Sequence, residues 1–182
     1  ADDFGRSRSI NEAVIRAHRE GVLTTASLMV NEPDCAAAVA LARENPRLGV
    51  GLHLTLLCGR SALPRDKIPG LVNGQSGFSE DPLSVGVKYF FQRGLRAQLH
   101  AEIHEQFARF RATGLPLDHV NGHLHLHLHP TVFGLLMQDA APLGIVDQWG
   151  ALADGLADDV RHGKAVRGVV DGGRQEALER AR

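Results

Sequence analysis

A chain of 182 residues with 43% hydrophobic content can bury one full core, so a single globular domain is expected. Its 20 Lys and Arg against 21 Asp and Glu leave a formal charge of -1, and no basic run is interleaved with aromatics, which argues against a nucleic-acid partner. Cys35 and Cys58 are too few for a disulfide framework, and neither a signal peptide nor an apolar run of about 18 residues is present, so a cytoplasmic protein without a transmembrane segment is expected.

Taken in chain order, Asp2 and Asp3 come first as adjacent carboxylates, ahead of Phe4 and Gly5. Two neighbouring acids in one site do not easily both stay ionised, so one is suited to ligate a cation and the other to act as a base. A solvated chain end is the other reading of the pair. Ser9, Ile10, Asn11 and Glu12 read as a capping box, and Ile10, Ala13, Val14 and Ala17 as the apolar stripe of a helix running to Gly21. Residues 22–30 predict a strand, and residues 33–45 an alanine-rich helix stopped by Pro46.

Residues 48–57 predict a second strand, with Leu48, Val50, Leu52, Leu54 and Leu56 on one face and Gly49, Gly51, His53 and Thr55 on the other. The two glycines leave room for something to approach His53, although a lone histidine on a strand also fits a structural role. Residues 58–81 are rich in Gly, Pro and Ser without a period, which marks a lid or substrate-contacting loop. A short apolar element at 83–91 is followed by a helix over 95–112 with Leu95, Leu99, Ile103, Phe107 and Phe110 on its buried side. His100 and His104 lie four apart on that helix, beside Glu102 and Glu105, and are expected on a solvated face.

Five of the ten histidines fall between His119 and His129. From His123 to His129 they alternate with Leu124, Leu126 and Leu128, which predicts a strand with a buried leucine face and a row of imidazoles about 6.5 Å apart. Such a row suits a divalent metal, imidazole being the commonest metal ligand. A surface strand or a weak metal-scavenging tract is the alternative. Pro130 closes the run and opens a helix through Met137. Helices alternating with strands predict an α/β fold with parallel strands, in which Asp2 and Asp3, His53 and His123 gather where strands end.

The segments Ala1 to Gly5, Gly51 to Leu54 and His119 to His127 resemble the three ordered motifs of the YdjC-like carbohydrate deacetylases. Within that family, the runs 20–31 and 113–123 are most similar to the hopanoid-biosynthesis branch, HpnK. The resemblance implies a deformed TIM-like (β/α) barrel, incomplete here at both ends. Residues 1–142 would form the deacetylase domain, lacking the strand ahead of Ala1, and 143–182 a divergent tail. It also implies hydrolysis of the N-acetyl group of an acetamido sugar, and for that branch of an N-acetylglucosaminyl hopanoid lipid, with action at the inner membrane surface.

By position, Asp3, His53 and His123 match the family's metal ligands and Asp2 its general base. Asn121, His125 and His127 would contact the ligands or the substrate. One divalent metal is implied, Mg by family annotation, whereas two imidazoles and a carboxylate also suit Zn, Co, Ni or Mn. The partner is then a sugar or glycolipid, and a homo-oligomer is compatible with the sequence. Two further readings stay open: a non-catalytic metal-binding domain, and a different amidohydrolase on a related barrel.

Overall fold

The structure, a computed structural model, describes residues 1–144 apart from Gln75. Its centre is a parallel sheet of β1 (Thr25–Leu28), β2 (Gly49–Leu54) and β3 (Val120–Gly122), in that spatial order. Ala1 to Phe4 run along the free edge of β1: Ser27 N donates to Ala1 O at 2.8 Å, Phe4 N to Ser27 O at 3.1 Å and Met29 N to Phe4 O at 2.7 Å. The two aspartates therefore lie beside the C-terminal end of β1. Parallel strands joined through helices are the α/β architecture expected from the sequence, here as an open sheet.

The chain after Phe4 turns at Gly5, whose φ of +94° is left-handed backbone that favours glycine. Helix α1 (Arg8–Glu20) follows, capped by Ser7, whose Oγ accepts from Ile10 N at 3.4 Å; the capping-box reading placed that cap two residues later, at Ser9. Asn11 on α1 is buried because its Oδ1 accepts from Gly5 N at 2.7 Å while its Nδ2 donates to Asp34 O at 3.0 Å. One side chain thus fixes the turn that carries Asp2 and Asp3. Helix α2 (Cys35–Glu44) returns the chain to β2, which is covered on both faces: Leu52, His53 and Leu54 are all buried.

The crossover from β2 to β3 holds α3 (Pro82–Phe91) and α4 (Arg96–Ala112). Asp81 caps α3 by accepting from Leu83 N and Ser84 N, and Pro82 occupies the first turn, where a missing N–H costs nothing. On α4 the expected apolar stripe is buried, but Glu102 and Gln106 are buried with it, so that flank of the helix is not the solvated face expected. Glu102 accepts from Ala62 N at 2.7 Å, Leu63 N at 2.9 Å and Gln106 Nε2 at 2.8 Å. Gln106 in turn bonds both Thr55 N and Thr55 O. These contacts clamp the 58–81 segment and the end of β2 to α4.

All three donors to Glu102 need an acceptor, and a glutamine would turn an NH2 toward at least one of them. Glu102→Gln is therefore expected to destabilise the fold by about 1–3 kcal/mol, read as a lowered midpoint in chemical denaturation.

The histidine run is the main departure from the expected elements. The last paired position ahead of it is Leu54 with Gly122; beyond that β2 ends, and among the described residues the backbone has no strand to pair with. Residues His123–Leu128 form tight helical turns instead of a strand, with Leu124 (φ 49°) and His125 (φ 58°) in the left-handed region. Leu124 and Leu128 are 55% and 61% exposed, so the leucines do not form a buried face. His129 leaves the expected row as well: its Nδ1 accepts from Thr131 N at 3.3 Å to cap α5 (Pro130–Gln138), and its Nε2 meets Gly86 O at 3.0 Å. A short α6 (Ala140–Leu143) closes the described residues, and the tail expected from 143 lies outside them beyond Gly144. Among the described residues no helix is long and apolar enough to cross a membrane, and Cys35 and Cys58 are both free thiols.

Candidate metal centre

At the C-terminal ends of the parallel strands the structure brings Asp3, His53 and His123 together. One ligand atom from each lies within 4.8 Å of the others. His53 comes late in β2, and His123 is the first residue after β3. The parallel register pairs His53 with Asn121, which puts their side chains next to each other on one face. Asp3 is held at φ 63°, a left-handed conformation that costs a non-glycine residue energy and tends to persist at functional positions.

The polar contacts around the trio are directional. Asn121 Nδ2 donates to Asp2 Oδ1 at 2.9 Å, which turns its carbonyl toward His53, 2.7 Å from Nδ1. A carbonyl oxygen only accepts, so His53 Nδ1 carries the proton and Nε2 keeps the free lone pair, turned toward Asp3 and His123. His53 Nε2 stands 3.4 Å from Asp3 Oδ1 and 3.2 Å from His123 Nδ1, and His123 Nδ1 stands 3.0 Å from Asp3 Oδ1. Asp3 Oδ2 is bonded by Arg6 Nη1 at 3.1 Å. Asp3 Oδ1 is buried, yet no hydrogen bond of acceptable geometry reaches it despite those two close nitrogens. Burial holds the His123 imidazole below its ordinary pKa against the opposing charge of Asp3, which keeps a nitrogen lone pair available at neutral pH. An orphaned carboxylate oxygen facing two imidazole nitrogens fits a divalent cation.

Asp2 lies outside that trio, 3.9 Å from His53 Nδ1. Burial raises its pKa, but the hydrogen bond from Asn121, the charge of His53 and the hydroxyl of Ser27 outweigh that and leave it lowered. Ser27 Oγ is also 2.8 Å from His119 Nε2, and His119 Nδ1 is 2.8 Å from Asp118 Oδ2. Sequence reasoning assigned no role to Ser27, Asp118 or His119. The signal was present in Gly49 and Gly51, for a Cβ on Gly51 would meet the His119 ring carbons at 2.6 Å and one on Gly49 would meet Asp118 Oδ1 at 2.7 Å. The room those glycines leave is taken by Asp118 and His119, not by a ligand of His53. Gly51→Ala is expected to cost about 1–3 kcal/mol by overpacking, checked by thermal unfolding.

His127 folds back over Gly122, where a Cβ would meet its Nδ1 at 2.9 Å. That Nδ1 is buried without a hydrogen-bond partner. Burial lowers the His127 pKa, with His125 adding to the effect, and the ring is close enough to His53 and Asp2 for their charges to act on it. His125 is exposed on the left-handed turn, its ring 6.2 Å from that of His127. Beside Arg6, the partner of Asp3, a cavity of about 690 Å³ opens, lined by Asn31, Glu32, Arg60, Asn73 and Glu80 among others.

Parallel strands whose C-terminal ends gather one carboxylate and two imidazoles, with a second carboxylate alongside, define an α/β protein with a candidate metal site at its strand ends. The chain belongs to the YdjC-like family: the family model described as YdjC-like protein matches residues 1–179. It is 44% identical over 140 residues to a carbohydrate deacetylase of Brevibacillus brevis, covering 76% of this chain and 52% of that one. It is 35% identical over 153 residues to a chitooligosaccharide deacetylase of Serratia marcescens, covering 80% of this chain and 55% of that one. A candidate cellobiose-phosphate cleavage protein of Enterococcus faecalis V583 superposes with a TM-score of 0.69 at 27% identity, over 79% of this chain and 54% of that one. The chain therefore spans about half the length of the curated relatives it matches.

Proposed function

We propose that the chain carries the metal centre and the base of a carbohydrate N-deacetylase. The observation that supports this most is the convergence of Asp3 Oδ1, His53 Nε2 and His123 Nδ1, with Asp2 beside them but outside the trio. A divalent cation held by those three atoms supplies Lewis acidity toward an amide carbonyl and a water molecule. Asp2, ionised and steadied by Asn121 and Ser27, takes the proton of the water as its oxygen bonds to the acetyl carbon. The carbon–nitrogen bond then breaks, acetate is released, and the proton on Asp2 is available to the departing amine. Zn, Co, Ni or Mn suits this donor set better than Mg, which favours oxygen ligands and retains its waters.

The substrate class is supported by the relatives that are named carbohydrate and chitooligosaccharide deacetylases, together with the polar cavity beside Arg6. An N-acetylglucosaminyl hopanoid lipid, met at the inner membrane surface, is the finer reading. It rests on the likeness of residues 20–31 and 113–123 to the hopanoid branch. The same convergence of Asp3, His53 and His123 also fits a second reading, a metal-binding domain without turnover.

Release of acetate from N,N′-diacetylchitobiose and from an N-acetylglucosaminyl lipid, measured beside bound metal, tests both readings. Acetate from metal-loaded protein supports the deacetylase. One tight metal without acetate from either substrate selects the non-catalytic domain, and hydrolysis of unrelated amides alone would point to a different amidohydrolase.

A further inference from the structure

We propose that His100, His104 and Asp139 form a second divalent-cation site, where α4 meets the end of α5. His100 and His104 are one helical turn apart and so share a face of α4. Their rings stack with centroids 4.3 Å apart and 28° between planes. His100 Nε2 is 2.6 Å and His104 Nε2 3.0 Å from the same atom, Asp139 Oδ2. The three donor atoms lie within 4.8 Å of one another and share no residue with the centre at the strand ends.

Asp139 is placed by the fold and not by a flexible tether. It ends α5, its backbone N–H reaching Leu135 O and Met137 O, and it leads into α6. The hydrogen bond from His104 holds its carboxyl below the ordinary range, with the charge of His100 in support, so an anionic oxygen faces the rings. Without a cation, both Nε2 atoms must carry protons to bond that oxygen; with one, both give lone pairs. Two imidazoles and a carboxylate are the donors that zinc and its neighbours take, and an i, i+4 histidine pair on a helix presents two of them at ligating separation. The rings are 41% and 36% exposed, which leaves water able to fill the outer positions. A cation there would tie α5, and with it the histidine turn that precedes α5, to α4.

Equilibrium dialysis against Zn2+, with elemental analysis, counts the sites. Wild-type protein is expected to bind two equivalents, and His100→Ala with His104→Ala to bind one; these partly exposed positions are unlike the buried His53, so the variant keeps its fold. In a His53→Ala, His123→Ala background, one equivalent should remain and should weaken at least tenfold when Asp139→Asn is added. A wild-type count that the His100→Ala, His104→Ala variant does not change would overturn the proposal, as would retained affinity in Asp139→Asn. A count of one that is lost only in the His100→Ala, His104→Ala variant would keep this site while removing the one at the strand ends.

Discussion

Asp2→Asn is expected to lower the rate of acetate release at saturating substrate by about 10²–10⁴ while leaving the metal bound. The variant keeps the size of the side chain and an oxygen that still accepts from Asn121 Nδ2, so the neighbours of Asp2 stay in place. It removes a carboxylate that stands beside the trio of candidate donor atoms and is not one of them. The amide has no lone pair basic enough to take a proton from water. The pair of measurements is single-turnover acetate release and metal content on the same sample. Loss of metal in step with loss of rate would make Asp2 a ligand and not the base.

His53→Ala is expected to weaken metal binding at the strand-end centre by more than about 100-fold and to abolish acetate release with it. The lower bound comes from the partners of ligands, whose removal alone costs about 10–100-fold in metal affinity. Asn121→Ala provides that comparison within this molecule. Asn121 is not one of the three candidate donors, but its carbonyl fixes the proton on His53 Nδ1 and so frees Nε2. It is expected to cost about 10–100-fold, between wild type and His53→Ala. Competition against a chelator of known affinity orders the three proteins. If His53→Ala binds as tightly as Asn121→Ala, His53 is not a ligand.

Residues at strand ends were legible because spacing and strand face fixed them. Residues 48–57 alternate as a strand, Gly49 and Gly51 signal a close approach, and the order of Asp3, His53 and His123 along a parallel α/β chain puts all three at one edge. The histidine run was not legible for a local reason. Alternation implies two faces only while the backbone is extended, and after Gly122 no strand among the described residues pairs with it to keep it so. His123 falls at the site because it is the first residue after β3, while the turn carries His125 outward and His129 goes to the cap of α5.

Other features depend on partners distant in sequence. Glu102 looks like the wet side of a helix until the 58–81 segment brings the N–H groups of Ala62 and Leu63 to it. His100 and His104 look solvated for the same reason, since Asp139 lies 35 residues beyond His104 and reaches it only through the packing of α5 on α4.

The most direct test is the zinc-edge X-ray absorption spectrum of protein loaded with one equivalent of Zn2+, in a His100→Ala, His104→Ala background so that only the strand-end centre is occupied. The convergence of Asp3, His53 and His123 predicts two imidazoles per zinc, with the remaining ligands oxygen, at about 2.0–2.1 Å for the nitrogens. Three or four imidazoles per zinc would contradict it, and would place the metal on His125 and His127 in the histidine turn.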